Sequence, residues 1–199
     1  EPAESVSLTT ATPRHDLAAL ASENSDCVGW LTIPDTGIDY PVMHTPNDPE
    51  HYLRRDFYGN SASGGTPFLD GRNLAEAENQ NLILYGHNMM DGSMFKPLIS
   101  YLEPSFRETH KEIYLELSEK QYQYEVFAVV ETNTQCSLYQ YTDLSDPAEE
   151  SDFRAAILKE TDLEGVHQAP GYLTLSTCNN GGGSSRVLVI AALAGEVSQ

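Results

Sequence analysis

The sequence predicts a mainly β fold: a closed, mostly antiparallel barrel of about eight strands. Short apolar or alternating segments, each bounded by turn residues, recur along the whole chain. The helical segments fall mostly in the connections, without the strict βαβ alternation of a doubly wound parallel sheet. The chain has 199 residues and is 40% hydrophobic, which suits one domain with a sizeable core and is too apolar for a disordered acidic protein.

The first half of the chain predicts a short helix followed by four strands. Residues 14–24 carry Leu17 and Leu20 with alanines between them, a weak amphipathic pattern. Residues 48–57 predict a helical turn with Pro49 at its first position. The strands are predicted at 28–33, 38–42, 66–70 and 81–85.

The second half predicts a hairpin, the clearest helix of the chain and a final strand pair. Residues 94–102 are helical, with a second turn after Pro104. Residues 112–118 and 121–131 form a hairpin around Glu119 and Lys120. A helix at about 146–160 begins with Asp146 as its N-cap and Pro147 at its first position. The last strands, 172–177 and 186–193, flank a glycine-rich loop.

Charge and length exclude several classes of protein. The chain has 30 Asp and Glu against 11 Lys and Arg, a net charge of −19, whereas a nucleic-acid binder needs a basic footprint. Docking on anionic lipid is equally disfavoured. No run of about 18 apolar residues exists to span a membrane. Residues 1–13 predict a flexible arm, and 14–199 predict one domain. The start at Glu1 indicates a processed chain whose anchor or export signal lay upstream.

Cysteine and histidine are the residues most able to do chemistry at neutral pH. Of Cys27, Cys136 and Cys178, at least one must stay unpaired because their number is odd. Cys178 ends an apolar strand, on the face opposite Leu173 and Leu175, which predicts a thiol directed toward a polar surface or groove. An inert packed thiol is the alternative reading.

His87 ends a second buried strand, and Arg186 begins the strand after the loop that follows Cys178. Either residue alone also fits an ordinary strand end. Jointly they match an acyl transferase, which needs a thiolate, a proton carrier and an oxyanion stabiliser. A free thiol has a pKa of about 8.5, so nearby positive charge promotes formation of the thiolate. An arginine cannot act as a base, so its role would be electrostatic.

These motifs resemble those of sortases. YLTLSTC (172–178), followed by Arg186, resembles the TLxTC…R signature of that family. LYGHN (84–88), continuing as MMDGSMF (89–95), resembles the catalytic-histidine segment of the class B branch. VGWLTIP (28–34), IDYPV (38–42) and DFYGN (56–60) resemble its first strands and the segment after them. The resemblance covers roughly residues 14–194.

The resemblance implies an eight-stranded sortase barrel with an N-terminal helix and a helix inserted between strands 6 and 7. It implies a cysteine transpeptidase without a cofactor, in which Cys178 is the nucleophile, His87 the general acid and then base, and Arg186 the oxyanion and substrate clamp. Such enzymes cleave a C-terminal sorting signal, expected here to be NPxTx-like, and hold the new carboxyl as a thioester. An amine from a cell-wall precursor or a pilin lysine then releases it.

The resemblance also implies a location and partners. We expect a monomer on the extracytoplasmic face of the membrane of a Gram-positive bacterium, with its membrane anchor upstream of Glu1. The partners are secreted proteins with a sorting signal and the amine acceptor, and nucleic acid is not among them. The scattered carboxylates predict no metal site. A mainly hydrolytic cysteine protease and a catalytically silent surface-binding module on the same scaffold are the alternatives.

Further residues are weaker candidates for binding the substrate. Each also has an ordinary structural reading: a strand position beside the nucleophile, a turn after His87, or a place in the connection after the sixth strand. Cys136 in that connection is a bystander thiol or a partner for another thiol under oxidation. The substrate-binding candidates are Asn88, Leu138, Tyr139, Tyr141, Ser176 and Thr177.

Overall fold

A computed structural model describes residues 15–179 and 183–197, so the predicted arm at 1–13 lies outside the described residues. Eight strands form the sheet. They are β1 (Cys27–Thr32), β2 (Asp39–Met43), β3 (Phe68–Leu69), β4 (Asn81–Tyr85), β5 (Glu112–Leu117), β6 (Lys120–Asn133), β7 (Tyr172–Cys178) and β8 (Ser185–Glu196).

The strands close into a barrel in the order β1-β2-β3-β4-β7-β8-β6-β5. Neighbouring strands are antiparallel except for two pairs, β2–β3 and β4–β7, which are parallel. This confirms the predicted closed, mostly antiparallel barrel. The parallel β4–β7 pair matters most for the site, because both strands then end at the same edge of the barrel.

The helices lie in the connections, as predicted. They are α1 (Leu17–Glu23), α2 (Pro104–Thr109) and α3 (Pro147–Glu160), with 3₁₀ helices at His51–Arg54, Lys96–Leu102 and Ser137–Gln140. Helix α3 lies between β6 and β7, where the inserted helix was expected. The Asp146 carboxylate caps it by accepting a 2.9 Å hydrogen bond from the Ala148 N–H. Within the described residues, no helix combines the length and apolarity that crossing a membrane requires.

The segment predicted as helix over 94–102 is a 3₁₀ helix that begins at Lys96. Its N–H groups reach back three residues, as from Leu98 to the Phe95 carbonyl at 3.1 Å. Glu103 is extended, with φ −84° and ψ 122°, because the ring of Pro104 disfavours helical geometry at the residue before it. The helical segment therefore ends there, and α2 starts afresh at Pro104.

The β5–β6 hairpin was predicted one residue too late. Leu117 pairs with Lys120, so the turn consists of Ser118 and Glu119. Both turn residues have positive φ, 47° and 66°, as a two-residue turn that matches the strand twist requires. The sequence does not indicate this turn, because neither position holds the glycine or asparagine that such turns favour.

The apolar side chains divide into a barrel interior and a second cluster outside the barrel. The interior includes Leu173 and Leu175 of β7, which confirms the predicted alternation on this strand. The second cluster lies beneath α3, where Phe153 packs against Tyr172 at the start of β7 with ring centroids 5.1 Å apart. The outer face of β7 is thus buried at its start, whereas Cys178 at its end is partly exposed.

Candidate active site

Strand register brings the three predicted catalytic residues to one edge of the barrel. Cys178 pairs directly with Arg186 across the antiparallel β7–β8 ladder. On the other side of β7, Tyr85 of β4 pairs with Ser176 in parallel. His87 and Cys178 each lie two residues beyond that pair, so the two chains carry them past the sheet edge side by side.

Three hydrogen bonds tie the ends of β4 and β7 together. The Gly86 N–H donates to the Ser176 carbonyl at 3.2 Å. The Thr177 hydroxyl donates back to the Gly86 carbonyl at 2.8 Å. The Asn88 side-chain amide donates to the Cys178 carbonyl at 2.9 Å. The backbone on either side of His87 is therefore fixed to the backbone of β7.

The His87 imidazole is oriented by one backbone contact. Its Nε2 lies 2.8 Å from the Leu53 carbonyl oxygen. Because a carbonyl only accepts, Nε2 carries a hydrogen, and Nδ1 is the nitrogen left to exchange a proton in the neutral ring. Behind the ring, the Phe95 N–H donates to the His87 carbonyl at 2.8 Å. A Cβ at Gly86 would lie 2.5 Å from the Phe95 ring, so this packing requires glycine.

The Arg186 guanidinium is held by the loop that connects β7 and β8. Its Nη1 donates to the carbonyls of Gly183 and Ser185, both at 2.9 Å. Within 15–179 and 183–197, no carboxylate forms an ion pair with it. Strand pairing places this arginine directly opposite Cys178.

The three residues line one groove with a volume of about 440 Å³. Of the predicted substrate-binding residues, the structure places Tyr139, Ser176 and Thr177 on its wall. The Tyr139 hydroxyl lies 2.8 Å from the Ser176 hydroxyl, two residues before Cys178. Other lining residues were not predicted. They include Leu53, Phe68, Asp70, Tyr85 and Thr134.

The remaining predicted binding residues do not line this groove within the described residues. Leu138 is buried in the second cluster, and Tyr141 packs against Phe153 with ring centroids 5.7 Å apart. Neither lines the groove in the part of the chain that is described. Asn88 uses its amide to hold the Cys178 carbonyl, so its observed contact fixes the backbone behind the site rather than its wall.

A polar network missed by the sequence reasoning stabilises one wall of the groove. Arg72 binds the Asp70 carboxylate, which also accepts a 2.8 Å hydrogen bond from the Tyr85 hydroxyl. Burial alone would raise the pKa of Asp70, but the hydrogen bonds from Arg72 and Tyr85 outweigh it and hold this pKa below its usual range. Burial, together with the Asp70 charge, raises the pKa of Tyr85. Tyr85 could have been found from parity, since it lies two residues before His87.

All three cysteines are free. Cys27 and Cys136 are buried, and Cys178 is the partly exposed one. Cys27 packs in a small cluster with Tyr52 and Phe68, against which Leu20 of α1 is placed. Burial is the largest influence on the Cys27 thiol and raises its pKa, which keeps it in the unreactive neutral form. The groove therefore holds the accessible thiol of the three.

Comparison with known proteins connects this site to a family. The model of the Sortase domain matches residues 31–194. Sortase B of Listeria monocytogenes is 37% identical over 169 residues, covering 83% of this chain and 68% of that protein. Sortase B of Staphylococcus aureus is 32% identical over 189 residues, covering 90% of this chain and 75% of that protein.

Solved structures agree with the sequence matches. A Staphylococcus aureus sortase B–substrate complex superposes with a TM-score of 0.79 and 30% identity, over 92% of this chain and 85% of that one. Sortase B from B. anthracis gives a TM-score of 0.75 and 33% identity, over 88% and 82% of the two chains.

The barrel with a cysteine at the end of β7 defines a cysteine transpeptidase, and the chain belongs to the sortase family. These relatives and structures are sortase B proteins, so the chain is assigned to the class B branch of the family. Family membership associates the protein with the cell envelope of Gram-positive bacteria and with substrates that carry a sorting signal.

Proposed function

We propose that Cys178, His87 and Arg186 carry out transpeptidation in the groove. The single observation that supports this most strongly is their convergence: three strand ends, adjacent in the barrel, bring a partly exposed thiol, an oriented imidazole and a guanidinium held by two loop carbonyls to the wall of one groove. The resemblance assigns the same three residues from the sequence motifs alone.

In the first step, the proton of the Cys178 thiol has passed to Nδ1 of His87, and the Cys178 thiolate attacks the carbonyl carbon of the scissile peptide bond in the sorting signal. The C–S bond forms while the carbonyl electrons move onto oxygen. The intermediate then collapses, the C–N bond breaks, and the departing amine takes a proton from Nδ1 of protonated His87. The carboxyl end of the secreted protein remains on Cys178 as a thioester.

Arg186 acts on the charge that develops in this step. Its guanidinium carries a fixed positive charge at every working pH, and it begins the strand directly opposite Cys178. The two carbonyls of Gly183 and Ser185 hold Nη1 in place, which leaves the other guanidinium nitrogens to face the carbonyl oxygen of the substrate. Such preorganised donors are worth about 100- to 1,000-fold in rate in comparable acyl transfers.

In the second step, an amine attacks the thioester. The new amide C–N bond forms, the C–S bond breaks, and His87 Nδ1 accepts the proton that the amine loses.

The acceptor amine comes from a peptidoglycan precursor or a pilin lysine in this proposal. The substrate is a secreted protein with an NPxTx-like signal near its C-terminus. The enzyme would act as a monomer on the extracytoplasmic face, held by a membrane anchor upstream of Glu1. Family membership and the motif resemblance support these points.

A product analysis tests the proposal. The protein is incubated with an NPxTx-type sorting-signal peptide, with and without an added glycine peptide or lysine amine. The products are separated and identified by mass spectrometry. Ligated product that requires the amine supports transpeptidation. Hydrolysis that the amine leaves unchanged would indicate the protease alternative instead. Cys178→Ala should abolish both products, whereas Cys136→Ala, at a buried thiol, should leave them intact.

A further inference from the structure

A clamp of two charged residues lies at the groove wall, in the connection that follows β3, with Asp70 lining the groove and Arg72 beside it. Asp70 and Arg72 form a two-point contact: Nε donates to one carboxylate oxygen and Nη2 to the other, both at 2.8 Å. The Arg72 backbone N–H adds a third bond to Asp70 at 3.0 Å. Neither residue is a member of the three that the proposed chemistry uses.

The same guanidinium reaches across to a different part of the chain. Arg72 Nη2 also donates to the backbone carbonyl of Tyr139, 67 residues away, at 2.7 Å. Tyr139 lies in the 3₁₀ helix Ser137–Gln140 of the β6–β7 connection, and its hydroxyl contacts Ser176 of the nucleophile strand. One arginine thus links the connection after β3 to the groove wall beside Cys178.

Tyr85 closes this arrangement from β4. Its hydroxyl donates to the same Asp70 carboxylate, and its ring stacks on that of Tyr139 with centroids 6.2 Å apart and planes 19° apart. The backbone carbonyl of Tyr139 is therefore held by Arg72 and its ring by Tyr85, and both of these residues bind the Asp70 carboxylate. The Asp70 side chain is only 11% exposed, so water cannot easily replace the bonds that it accepts; the Arg72 side chain is 53% exposed, and its bond to Tyr139 depends on the two-point contact with Asp70 that orients the guanidinium.

We propose that Arg72 is a positioning residue that fixes the Tyr139 wall of the groove and so sets the affinity for the sorting signal. The inference rests on the proposed function of the groove and adds a residue that does not contact the reacting atoms. The requirement is geometric: a planar fork serves two carboxylate oxygens and a carbonyl at once. A lysine ammonium could replace only Nη2, and it lacks the second donor, Nε, whose bond to Asp70 fixes the orientation of the fork toward Tyr139.

The first test is the split between KM and kcat for the sorting-signal peptide. Arg72→Met and Arg72→Lys should each raise KM about ten-fold, the effect of losing a charge-assisted hydrogen bond, with kcat within about two-fold of wild type. Restoration of the wild-type KM by lysine would overturn the inference, because charge alone would then suffice.

Arg154 offers a matched control. It lies on α3 and also joins a carboxylate to a distant carbonyl, with a single 2.8 Å bond to Glu150 and a 3.2 Å bond to the Val166 carbonyl, but it does not line the groove. Arg154→Met should lower the melting temperature as Arg72→Met does and leave KM unchanged. A KM increase of equal size in both variants would mean that general destabilisation is the cause, and the inference would be wrong.

Hydrogen exchange supplies a readout that does not depend on activity. Arg72→Met should speed amide exchange across residues 137–141, while Arg154→Met should not. If the wild type ligates the peptide and Arg72→Met changes neither KM nor exchange, only this inference fails. If the wild type neither cleaves nor ligates peptide while exchange still responds to Arg72→Met, the clamp is real and the proposed function fails.

Discussion

Thr177→Val tests whether the hydrogen bonds between the ends of β4 and β7 position His87 for the proposed reaction. The Thr177 hydroxyl donates to the Gly86 carbonyl at 2.8 Å, one residue before His87, and the side chain is 2% exposed. Valine has nearly the same shape but no hydroxyl. The substitution removes one hydrogen bond and leaves the surrounding packing in place.

The expected magnitude follows from that contact. A partly buried carbonyl that loses its donor costs about 1 to 2 kcal/mol of unfolding free energy. His87 would still be held through the Asn88 amide and through the Leu53 carbonyl. Activity should therefore fall without disappearing, and a displacement of a few tenths of an ångström should lower kcat/KM about ten-fold.

The same strand provides a control for this variant. Thr174 is 1% exposed, and its hydroxyl donates to Asn81 Oδ1 at 2.7 Å, four residues before Cys178 on the same face of β7. Thr174→Val should cost a similar amount of stability in urea unfolding but leave kcat/KM of the folded enzyme within about two-fold. Equal losses of activity in the two variants, or none in Thr177→Val, would refute the positioning argument.

Three further predictions concern stability. Replacing Ser118 with Asn and Glu119 with Gly should raise the unfolding free energy by about 1 kcal/mol, measured in urea, because both residues have positive φ; no gain would argue against the turn geometry. Phe153→Ala should cost about 3 to 5 kcal/mol, because this fully buried ring anchors α3; a melting temperature near that of wild type would exclude that anchoring. Burial lowers the pKa of His44, only partly offset by Asp70. As pH falls below about 6.5, the unfolded chain therefore binds the proton before the folded protein does, and the free energy of unfolding declines until the pH reaches the lower pKa of the folded state. His44→Asn should remove that part of the pH dependence of unfolding in urea. An unchanged pH profile in the variant would contradict this.

Much of the fold was predictable because its signals are local. The alternation in YLTLSTC directs Leu173 and Leu175 into the barrel and Cys178 away from them, and the structure shows this arrangement. The N-cap of α3 is likewise predictable from neighbouring residues, because Asp146 directly precedes Pro147. Such patterns depend only on the period of the element and on its ends.

The groove wall was less predictable because it depends on distant contacts. Leu138 and Tyr139 are neighbours in a 3₁₀ helix, where successive side chains point about 120° apart, and so short a segment has no periodicity to decide which one faces the groove. The partners of Arg72 and His87 include the backbone carbonyls of Tyr139 and Leu53. A carbonyl is present at every position, so it carries no sequence signal.

The most direct test of the central claim is to locate the acyl group on the enzyme. The protein is mixed with a sorting-signal peptide without an amine, quenched in acid, digested and mapped by mass spectrometry. The account predicts a thioester on the peptide that contains Cys178, sensitive to hydroxylamine and absent from Cys178→Ala, with Cys27 and Cys136 unmodified because both are buried. An adduct on either of those cysteines, or one that persists in Cys178→Ala, would contradict it.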